Sequence, residues 1–447
     1  MIAALSVIGF ALSGWTAWTG LRRLIDRRWA SGMWLLLAGL LGIGAQLALS
    51  LIPVGIGEPI IRIRERELWP VAAAGAALVA LAAILTRHRR GHARFWPILA
   101  PILVAGAVAG LAFLGTPERE RERDPNRRAI NLPPGFNAAI YAQGAIDNPT
   151  VMTFGPAGEL YIGDIAGDLW VARRKADGTA GTPTRFARGF ELLVGLAWKD
   201  GELFASSAGK IEALRDSDGD GVADARRLVT GNLPVLVFKP HSNNSLTVGP
   251  DGRLYFGVGS TSNTGIETEP LASAILSVSP DGGPPTVVAR GFGNPFEMAF
   301  NARGDLFTGD NSSATPDGDE PPDTFQYVVP GGQYGASRPA GGVVGTTVRP
   351  NLLEFPAHSV PTGLTFYTGA SYPADYADNA FLALWSRGEL MRITLGRAAD
   401  GVYRAQATLW GDGFLYPIDI VVGPDGDLYV ADFGTSVIYR IRYQGAK

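Results

Sequence analysis

Long runs of apolar residues are confined to the first quarter of the chain. Four runs approach the ~20 residues that a helix needs to cross a ~30 Å hydrocarbon layer. These runs cover residues 2–20, 32–54, 69–86 and 95–114. Tryptophans stand near their ends, as residues at a lipid–water interface do. The pattern predicts an α-helical membrane module with four transmembrane helices over residues 1–115.

The short loops between these runs differ in their arginine content. Residues 21–31 and 87–94 each hold four Arg, while residues 55–68 balance three Arg with three Glu. Loops rich in Lys and Arg stay in the cytoplasm. We therefore expect an integral membrane protein in which both ends of the module, and everything after it, lie on the periplasmic or extracellular side.

Beyond residue 131, apolar and polar positions alternate in short runs. One unit recurs, in which an apolar run, a glycine-centred turn and a second run of the Leu-Tyr-Val type follow one another, as in a β-hairpin. Its six copies begin at residues 151, 195, 245, 297, 363 and 419, and the fifth carries an insertion. Antiparallel strands in repeats of ~40–50 residues are typical of propeller blades. We predict an all-β six-bladed β-propeller over residues 132–447, joined to the membrane module by a charged linker over residues 116–131.

Two more strand-like runs, at residues 135–142 and 437–443, lie outside the six copies. We expect them to pair and close the ring between its two ends. The first strand of each blade lines the central channel, and an alignment of the copies gives one equivalent residue just before each of these strands. In blade order these residues are Asp147, Glu191, His241, Gly293, Ser359 and Leu415. We predict a substrate pocket at the channel mouth formed by the first three.

Charge and composition narrow the classes of function. The formal net charge of −3 leaves no basic surface of the kind that binds nucleic acid. The chain has no cysteine, which excludes disulfides, thiolate metal sites and iron–sulfur clusters.

Residues 215–224 read RDSDGDGVAD and resemble a calcium-binding loop. Calcium takes six to eight oxygen ligands, which alternate Asp side chains around a Gly turn can supply. The candidate ligands are Asp216, Asp218, Asp220 and Asp224. An acidic hairpin tip without metal is the alternative. We expect the loop to stiffen the connection between blades 2 and 3.

Several segments, in order, resemble the pyrroloquinoline quinone (PQQ)-dependent glucose/sorbosone dehydrogenase family. They include LPPGFNAAIYA, HSNNSLTVGPDGRLYFGVGS and ARGFGNPFEMAFNARGDLFTGDNS, and the resemblance covers about residues 132–443. It implies that His241 is the general base, which takes the proton of a substrate hydroxyl while hydride moves to the quinone. It also implies that Asn294 contacts the cofactor, that Trp385 and Arg387 belong to a cofactor segment, and that calcium is bound near Gly335.

The chain departs from the family pattern at positions that bear arginine or asparagine there. Gly293 precedes Asn294, Ser386 stands between Trp385 and Arg387, and Tyr416 and Ile418 replace arginines of the last blade. PQQ bears three carboxylates, for which Arg is the natural partner.

Three functions are therefore open. The first is a membrane-anchored quinoprotein that oxidises a sugar or another alcohol or aldehyde with PQQ and calcium and passes electrons to a quinone. The second is a non-catalytic binding or sensory propeller that has lost the cofactor arginines. The third is a calcium-dependent, lactonase-like hydrolase.

Overall fold

The computed structural model describes residues 123–235, 242–262, 266–312, 320–335, 338–339, 347–399 and 401–445. The four apolar runs of the predicted membrane module lie outside these ranges, as does His241. Within the described part of the chain, no helix has the length and apolarity required to cross a membrane.

The described residues form short strands and three 3₁₀ helices. The first thirteen strands are β1 (Phe136–Ala142), β2 (Pro149–Phe154), β3 (Leu160–Asp164), β4 (Asp168–Ala172), β5 (Thr184–Arg188), β6 (Gly195–Lys199), β7 (Glu202–Ser207), β8 (Lys210–Arg215), β9 (Ala225–Thr230), β10 (Thr247–Val248), β11 (Leu254–Val258), β12 (Ile266–Glu267) and β13 (Ala274–Val278). The other thirteen are β14 (Thr286–Arg290), β15 (Asn294–Phe300), β16 (Leu306–Asn311), β17 (Asp323–Val328), β18 (Arg338–Pro339), β19 (Leu353–Phe355), β20 (Pro361–Phe366), β21 (Ala380–Leu384), β22 (Glu389–Arg397), β23 (Tyr403–Gly411), β24 (Pro417–Val422), β25 (Leu428–Asp432) and β26 (Val437–Tyr443). The 3₁₀ helices are Pro125–Arg127, Ala374–Tyr376 and Trp385–Arg387.

Six four-stranded antiparallel sheets make six blades, which confirms the predicted propeller. Blades 1 to 5 follow the chain, as β2–β5, β6–β9, β10-β11-β13-β14, β15-β16-β17-β19 and β20–β23. Each begins with the hairpin recognised in the sequence repeat. The first strands of neighbouring blades contact one another around a closed ring. The exception is between blades 3 and 4, where β15 contacts β11, the second strand of blade 3.

Both ends of the propeller contribute to blade 6. Its strand order is β1-β26-β25-β24, and β1 pairs antiparallel with β26, so that Phe136 lies opposite Tyr443. The predicted ring closure is therefore confirmed. The end of the predicted linker also packs on this blade, since Arg128 Nε donates to the Gly413 carbonyl at 2.8 Å and Asn131 forms a bridge with Asp412.

The core lies between blades rather than within them. Each cluster of buried apolar side chains draws on two neighbours, such as Val151 of blade 1 with Leu196 of blade 2. Burying a side chain of this size contributes about 1.5–3 kcal/mol. The glycine of the Leu-Tyr-x-Gly motif permits this close packing, because a Cβ on Gly257 would lie 2.0 Å from the carbonyl oxygen of Pro295 in the next blade. The repeated motif therefore encodes the contact between blades.

Candidate functional site

The register of the hairpins places the starts of the inner strands at one face. Pro149, Pro295 and Pro417 lie opposite Asp164, Asp310 and Asp432, which stand at or next to the ends of their partner strands. In blade 3, Asn243 bridges to Val258 at the same level. Described residues of the predicted ring, such as Asp147 and Leu415, stand two positions before the prolines named above. We call the face that they share the channel mouth.

Two buried aspartates at the mouth each hold the backbone that leads into an inner strand. Asp310 accepts hydrogen bonds from the N–H groups of Gly293 at 3.0 Å and Asn294 at 2.9 Å. Asp432 does the same for Leu415 and Tyr416, at 2.7 and 3.0 Å. Such bonds to a buried carboxyl satisfy backbone groups that no strand partner reaches.

The predicted pocket residues are only partly described. Asp147 and Glu191 are exposed and occupy equivalent positions at the mouth of blades 1 and 2. The backbone carbonyl of Glu191 accepts the Ala208 N–H at 2.7 Å, which holds this segment against the second strand of blade 2. Because His241 lies outside the described residues, its role as general base stays a prediction.

Asn294, predicted to contact a cofactor, faces another asparagine. Its side chain is 2 % exposed, and its Oδ1 accepts the Asn244 Nδ2–H at 2.7 Å. Asn244 also donates to the Pro295 carbonyl at 3.1 Å. In the structure, Asn294 therefore links blades 3 and 4.

Trp385 and Arg387 belong to one 3₁₀ turn, but their side chains have different surroundings. Trp385 is buried and stacks on Tyr416, with ring centroids 5.1 Å apart, while Phe433 lies 4.8 Å away. Arg387 forms a two-point ion pair with Glu389, at 2.6 and 3.0 Å. Trp385 thus packs between blades 5 and 6, and the guanidinium of Arg387 already has a carboxylate partner.

Gly335 lies at the mouth end of blade 3. The preceding residue, Tyr334, donates its N–H to the Arg290 carbonyl at 2.8 Å, which places this segment beside the outer strand β14. Gly335 itself is exposed, and the chain that follows it at residues 336–337 is not described. The backbone shell expected to hold calcium here stays a prediction.

The loop with the calcium-type sequence brings together three of its four predicted ligands. Carboxylate oxygens of Asp216, Asp218 and Asp220 all lie within 4.8 Å of one another. Asp224 instead accepts hydrogen bonds from the N–H of Ser217 at 3.2 Å and from its hydroxyl at 2.8 Å. The spacing of the three carboxylates suits a cation with Ca–O distances of about 2.3–2.6 Å, and Asp224 closes the loop.

The expected position of this loop was wrong. It connects β8 to β9 inside blade 2, and the Ala223 N–H donates to the Phe186 carbonyl of blade 1 at 2.8 Å. It therefore braces blades 1 and 2, not blades 2 and 3. Strand β7 ends at the mouth with Ser207, and β8 runs back from there, so that Leu214 pairs with Leu203 at the far end. The loop follows the far end of β8 and therefore lies on the face opposite the mouth.

Two buried acids at blade 4 were missed in the sequence. Burial raises the pKa of Asp310 to about 7 and that of Asp323 to about 6. Hydrogen bonds from backbone N–H groups lower both pKa values, but burial has the larger effect. Asp323 accepts the Val360 N–H at 2.8 Å, and His358 nearby pairs through Nε2 with Glu320 at 2.9 Å. The segment Leu-Phe-Thr-Gly-Asp ends with Asp310, and an Asp stands at the same place in blades 1 and 6. This recurrence could have indicated Asp310 from the sequence.

Two further acids lie on inner strands, Glu297 on β15 and Asp419 on β24. Burial raises the pKa of both carboxyls. The neighbouring Asp419 raises the pKa of Glu297 further, while a hydrogen bond with Glu297 lowers the pKa of Asp419. An acidic residue inside an otherwise apolar inner strand, as in NPFEMAF and PIDIVV, is a signal that sequence reasoning could have used.

The predicted cofactor positions that the structure describes are already used for contacts within the protein. Three carboxylates call for several free cations. The guanidinium of Arg387 is paired with Glu389, the side chain of Asn294 is bound by Asn244, and Gly293 has no side chain. Two cavities in the described part also lie away from the mouth, one against β1 and one between the turns at residues 368–371 and 423–426.

Solved structures with the same fold are sugar-oxidising propellers by their descriptions. An oxidoreductase (glucose dehydrogenase) of Thermus thermophilus is 22 % identical and covers 69 % of this chain and all of its own, with a TM-score of 0.56. The PQQ-bound aldose sugar dehydrogenase of Streptomyces coelicolor is 19 % identical over 70 % of this chain and 99 % of its own, with a TM-score of 0.53. The PQQ domain of pyranose dehydrogenase from Coprinopsis cinerea is 15 % identical over 71 % and 98 %, with a TM-score of 0.57. At these identities the likeness establishes the fold.

Two sequence relationships complete the comparison. An uncharacterized protein of Borreliella burgdorferi is 23 % identical in an alignment of 355 residues that covers 70 % of this chain and 91 % of that protein. The profile of a family described as a domain of unknown function, DUF7133, matches residues 123–442. That range spans all six blades, and the chain therefore belongs to the DUF7133 family.

Proposed function

We propose that this protein is a membrane-anchored dehydrogenase of the propeller type, which oxidises a sugar or another small alcohol or aldehyde outside the cytoplasm. PQQ and calcium are the cofactors that the family resemblance implies, and a quinone in the membrane is the proposed electron acceptor. The observation that supports the proposal is the hairpin register, which brings the starts of the inner strands of blades 1, 2 and 3 to one mouth, with the exposed Asp147 and Glu191 just before two of them. Solved propellers described as PQQ-bound or as sugar dehydrogenases support it.

The chain's own residues supply binding and proton transfer in this proposal. Exposed carboxylates such as Asp147 and Glu191 accept hydrogen bonds from sugar hydroxyls. His241 is the proposed general base, because an imidazole side chain suits the removal of a hydroxyl proton. The redox chemistry belongs to the cofactor. Since Asn294 and Arg387 already have partners within the protein, cofactor binding is the point at which the proposal is tested.

The test is a PQQ titration of the purified full chain in detergent with calcium, followed by an assay of dye-linked oxidation of several sugars. We expect binding at micromolar PQQ, and turnover that falls by at least about 100-fold in His241→Ala, the usual scale for a general base. His358→Ala is the matched control, because His358 lies in the connection between blades 4 and 5, is paired with Glu320 and is expected to retain activity. Absence of PQQ binding would refute the dehydrogenase.

A second candidate is a non-catalytic propeller that binds a small polyhydroxylated ligand. The observation that favours it is the use of the described cofactor positions for contacts within the protein, as in the Asn294–Asn244 and Arg387–Glu389 pairs. Sugar binding without PQQ binding, weakened by Asp147→Ala or Glu191→Ala, would support this candidate. A calcium-dependent lactonase is not favoured by the loop, since its three carboxylates lie on the face opposite the mouth.

The proposed location can be tested by cysteine labelling, because the natural chain contains no cysteine. Asp177→Cys places a thiol on an exposed turn of the propeller, and Arg27→Cys places one in the loop expected in the cytoplasm. We expect a membrane-impermeant maleimide to label only the first in intact cells with a permeable outer layer. Labelling of Arg27→Cys alone would place the propeller in the cytoplasm.

A further inference from the structure

Inside the propeller, two carboxyl groups satisfy backbone groups of blades other than their own. The inner strand of each blade is a free edge of its sheet. The backbone N–H groups on its open side therefore have no strand partner. Glu297 of blade 4 accepts the Leu364 N–H of blade 5 at 3.1 Å. Asp419 of blade 6 accepts the Met152 N–H of blade 1 through Oδ2. Two side chains thus connect the inner strands of four blades.

The two carboxyls also meet each other. Glu297 accepts the Leu364 N–H, and Asp419 packs against the adjacent Gly363, so both carboxyls reach the same point of β20 and can share a side-chain hydrogen bond once one of them is protonated. Asp419 is 1 % exposed, and its Oδ1 has no hydrogen-bond partner within the described part of the chain. A buried carboxylate oxygen without a donor is costly, and the acid hydrogen of Glu297 is the donor within reach.

The backbone around the pair leaves little room for rearrangement. Gly363 on β20 packs against Asp419, since a Cβ on Gly363 would lie 2.6 Å from the Cα of Asp419. Glu297 is half-buried, and Asp419 is buried. The pair is therefore held together by packed inner strands.

No cation faces the pair from the strands packed around it in the described structure. Strands β2, β20 and β21 carry no ionisable side chain. On β16 and β25 the carboxyls are Asp310 and Asp432, each bound by backbone N–H groups at the mouth, and Tyr429 on β25 donates to Asp425. Two carboxylates in a poorly solvated site repel each other, and loss of one charge relieves that repulsion.

We infer that Glu297 and Asp419 share a single proton, with the Glu297 hydroxyl donating to Asp419 Oδ1, and that this shared proton clasps blades 4, 5, 6 and 1 together. Deprotonation at higher pH leaves two repelling carboxylates and loosens the clasp. Burial raises the folded-state pKa of both groups above their ordinary values. The stabilisation is then fully present only below about pH 4, under the ordinary pKa of these carboxyls, and it is lost as the pH rises through the raised folded-state pKa.

The test compares the melting temperature (Tm) of the full chain in detergent from pH 5 to 8 with that of Glu297→Gln. Gln keeps the size, the acceptor for Leu364 and a donor for Asp419 Oδ1, but cannot ionise. We expect the wild-type Tm to fall about 3–5 °C further than the variant Tm over this range, with the variant more stable than wild type at pH 8. Glu202→Gln is the matched control, because its pairing with Arg227 lowers the pKa of Glu202 and its charge is constant over the range.

Two outcomes would overturn the inference. One is a parallel decline of wild type and Glu297→Gln. The other is a gain in wild-type Tm above pH 7 on adding calcium or magnesium, absent from Glu297→Gln, which would mean that the pair holds a cation. Should the variant fail to fold, infrared spectra of wild-type chain labelled with ¹³C-glutamate decide the matter. A neutral glutamic acid carbonyl band at pH 6 supports the shared proton, and its absence refutes it.

Discussion

The calcium-type loop of blade 2 and the channel mouth are built in opposite ways. In the loop, all candidate ligands come from ten consecutive residues, and Asp216 turns the chain by accepting the N–H groups of Gly219 and Gly221 at 2.7 and 2.9 Å. At the mouth, the candidate residues come from different blades, and the structure gives several of them partners inside the protein. Asn294 binds Asn244, and Arg387 binds Glu389.

This difference shows how far a residue pattern can be trusted as a site. A local motif carries its own geometry, because hydrogen bonds between neighbours in sequence set the directions of the side chains. A site shared by several blades depends on what each neighbouring blade presents. The following predictions test whether the mouth residues serve the fold, as their contacts indicate, or a ligand.

The largest effect is expected for Trp385→Ala. Removal of this buried ring leaves a cavity beside Tyr416 and Phe433, which we expect to cost about 3–5 kcal/mol of unfolding free energy. Chemical denaturation of the full chain measures it, with Trp385→Phe as the control that retains most of the packing. A stable Trp385→Ala protein that loses PQQ binding would instead assign Trp385 to the cofactor.

Asp310→Ala comes next. It leaves the N–H groups of Gly293 and Asn294 without their acceptor in a buried place, and we expect a loss of about 2–4 kcal/mol in unfolding free energy. Asp310→Asn keeps one side-chain oxygen and should cost less. Equal effects of the two substitutions would contradict a role as backbone acceptor.

A smaller effect is expected in the loop of blade 2. Asp218→Asn removes one of three clustered carboxylates and should weaken calcium binding by about tenfold or more, as measured by calorimetry on the full chain. Asp177→Asn is the matched control, since Asp177 also forms a local turn, with Thr179, in an exposed hairpin. Equal calcium affinity in wild type and Asp218→Asn would remove the loop as a calcium site.

The smallest effect on stability is expected for Glu389→Gln. Its partner Arg387 is 42 % exposed in its side chain, so loss of the pair should cost under about 1 kcal/mol. If the chain binds PQQ, the released guanidinium should increase its affinity several-fold in the same titration, because Arg pairs well with carboxylates. Unchanged affinity would show that Arg387 does not reach the cofactor.

Much of the fold was predictable because a propeller repeats a local pattern. The hairpin at residues 151–164 matches β2 and β3, and the runs at both ends pair as β1 and β26. The candidate site was less predictable. The alignment located the equivalent positions at Asp147 and Glu191. No sequence pattern indicated that Asn244 would donate a hydrogen bond to the side chain of Asn294.

The sequence by itself determined the number of blades, the ring closure and the three clustered carboxylates at residues 216–220, since hairpins and short loops depend on neighbours along the chain. Tertiary structure alone decided that the loop lies on the face opposite the mouth and that it braces blade 2 against blade 1. It also brought Glu297 and Asp419 together. These two residues are more than a hundred positions apart, and only closure of the ring places both carboxyls in the same poorly solvated space, where their charges affect each other.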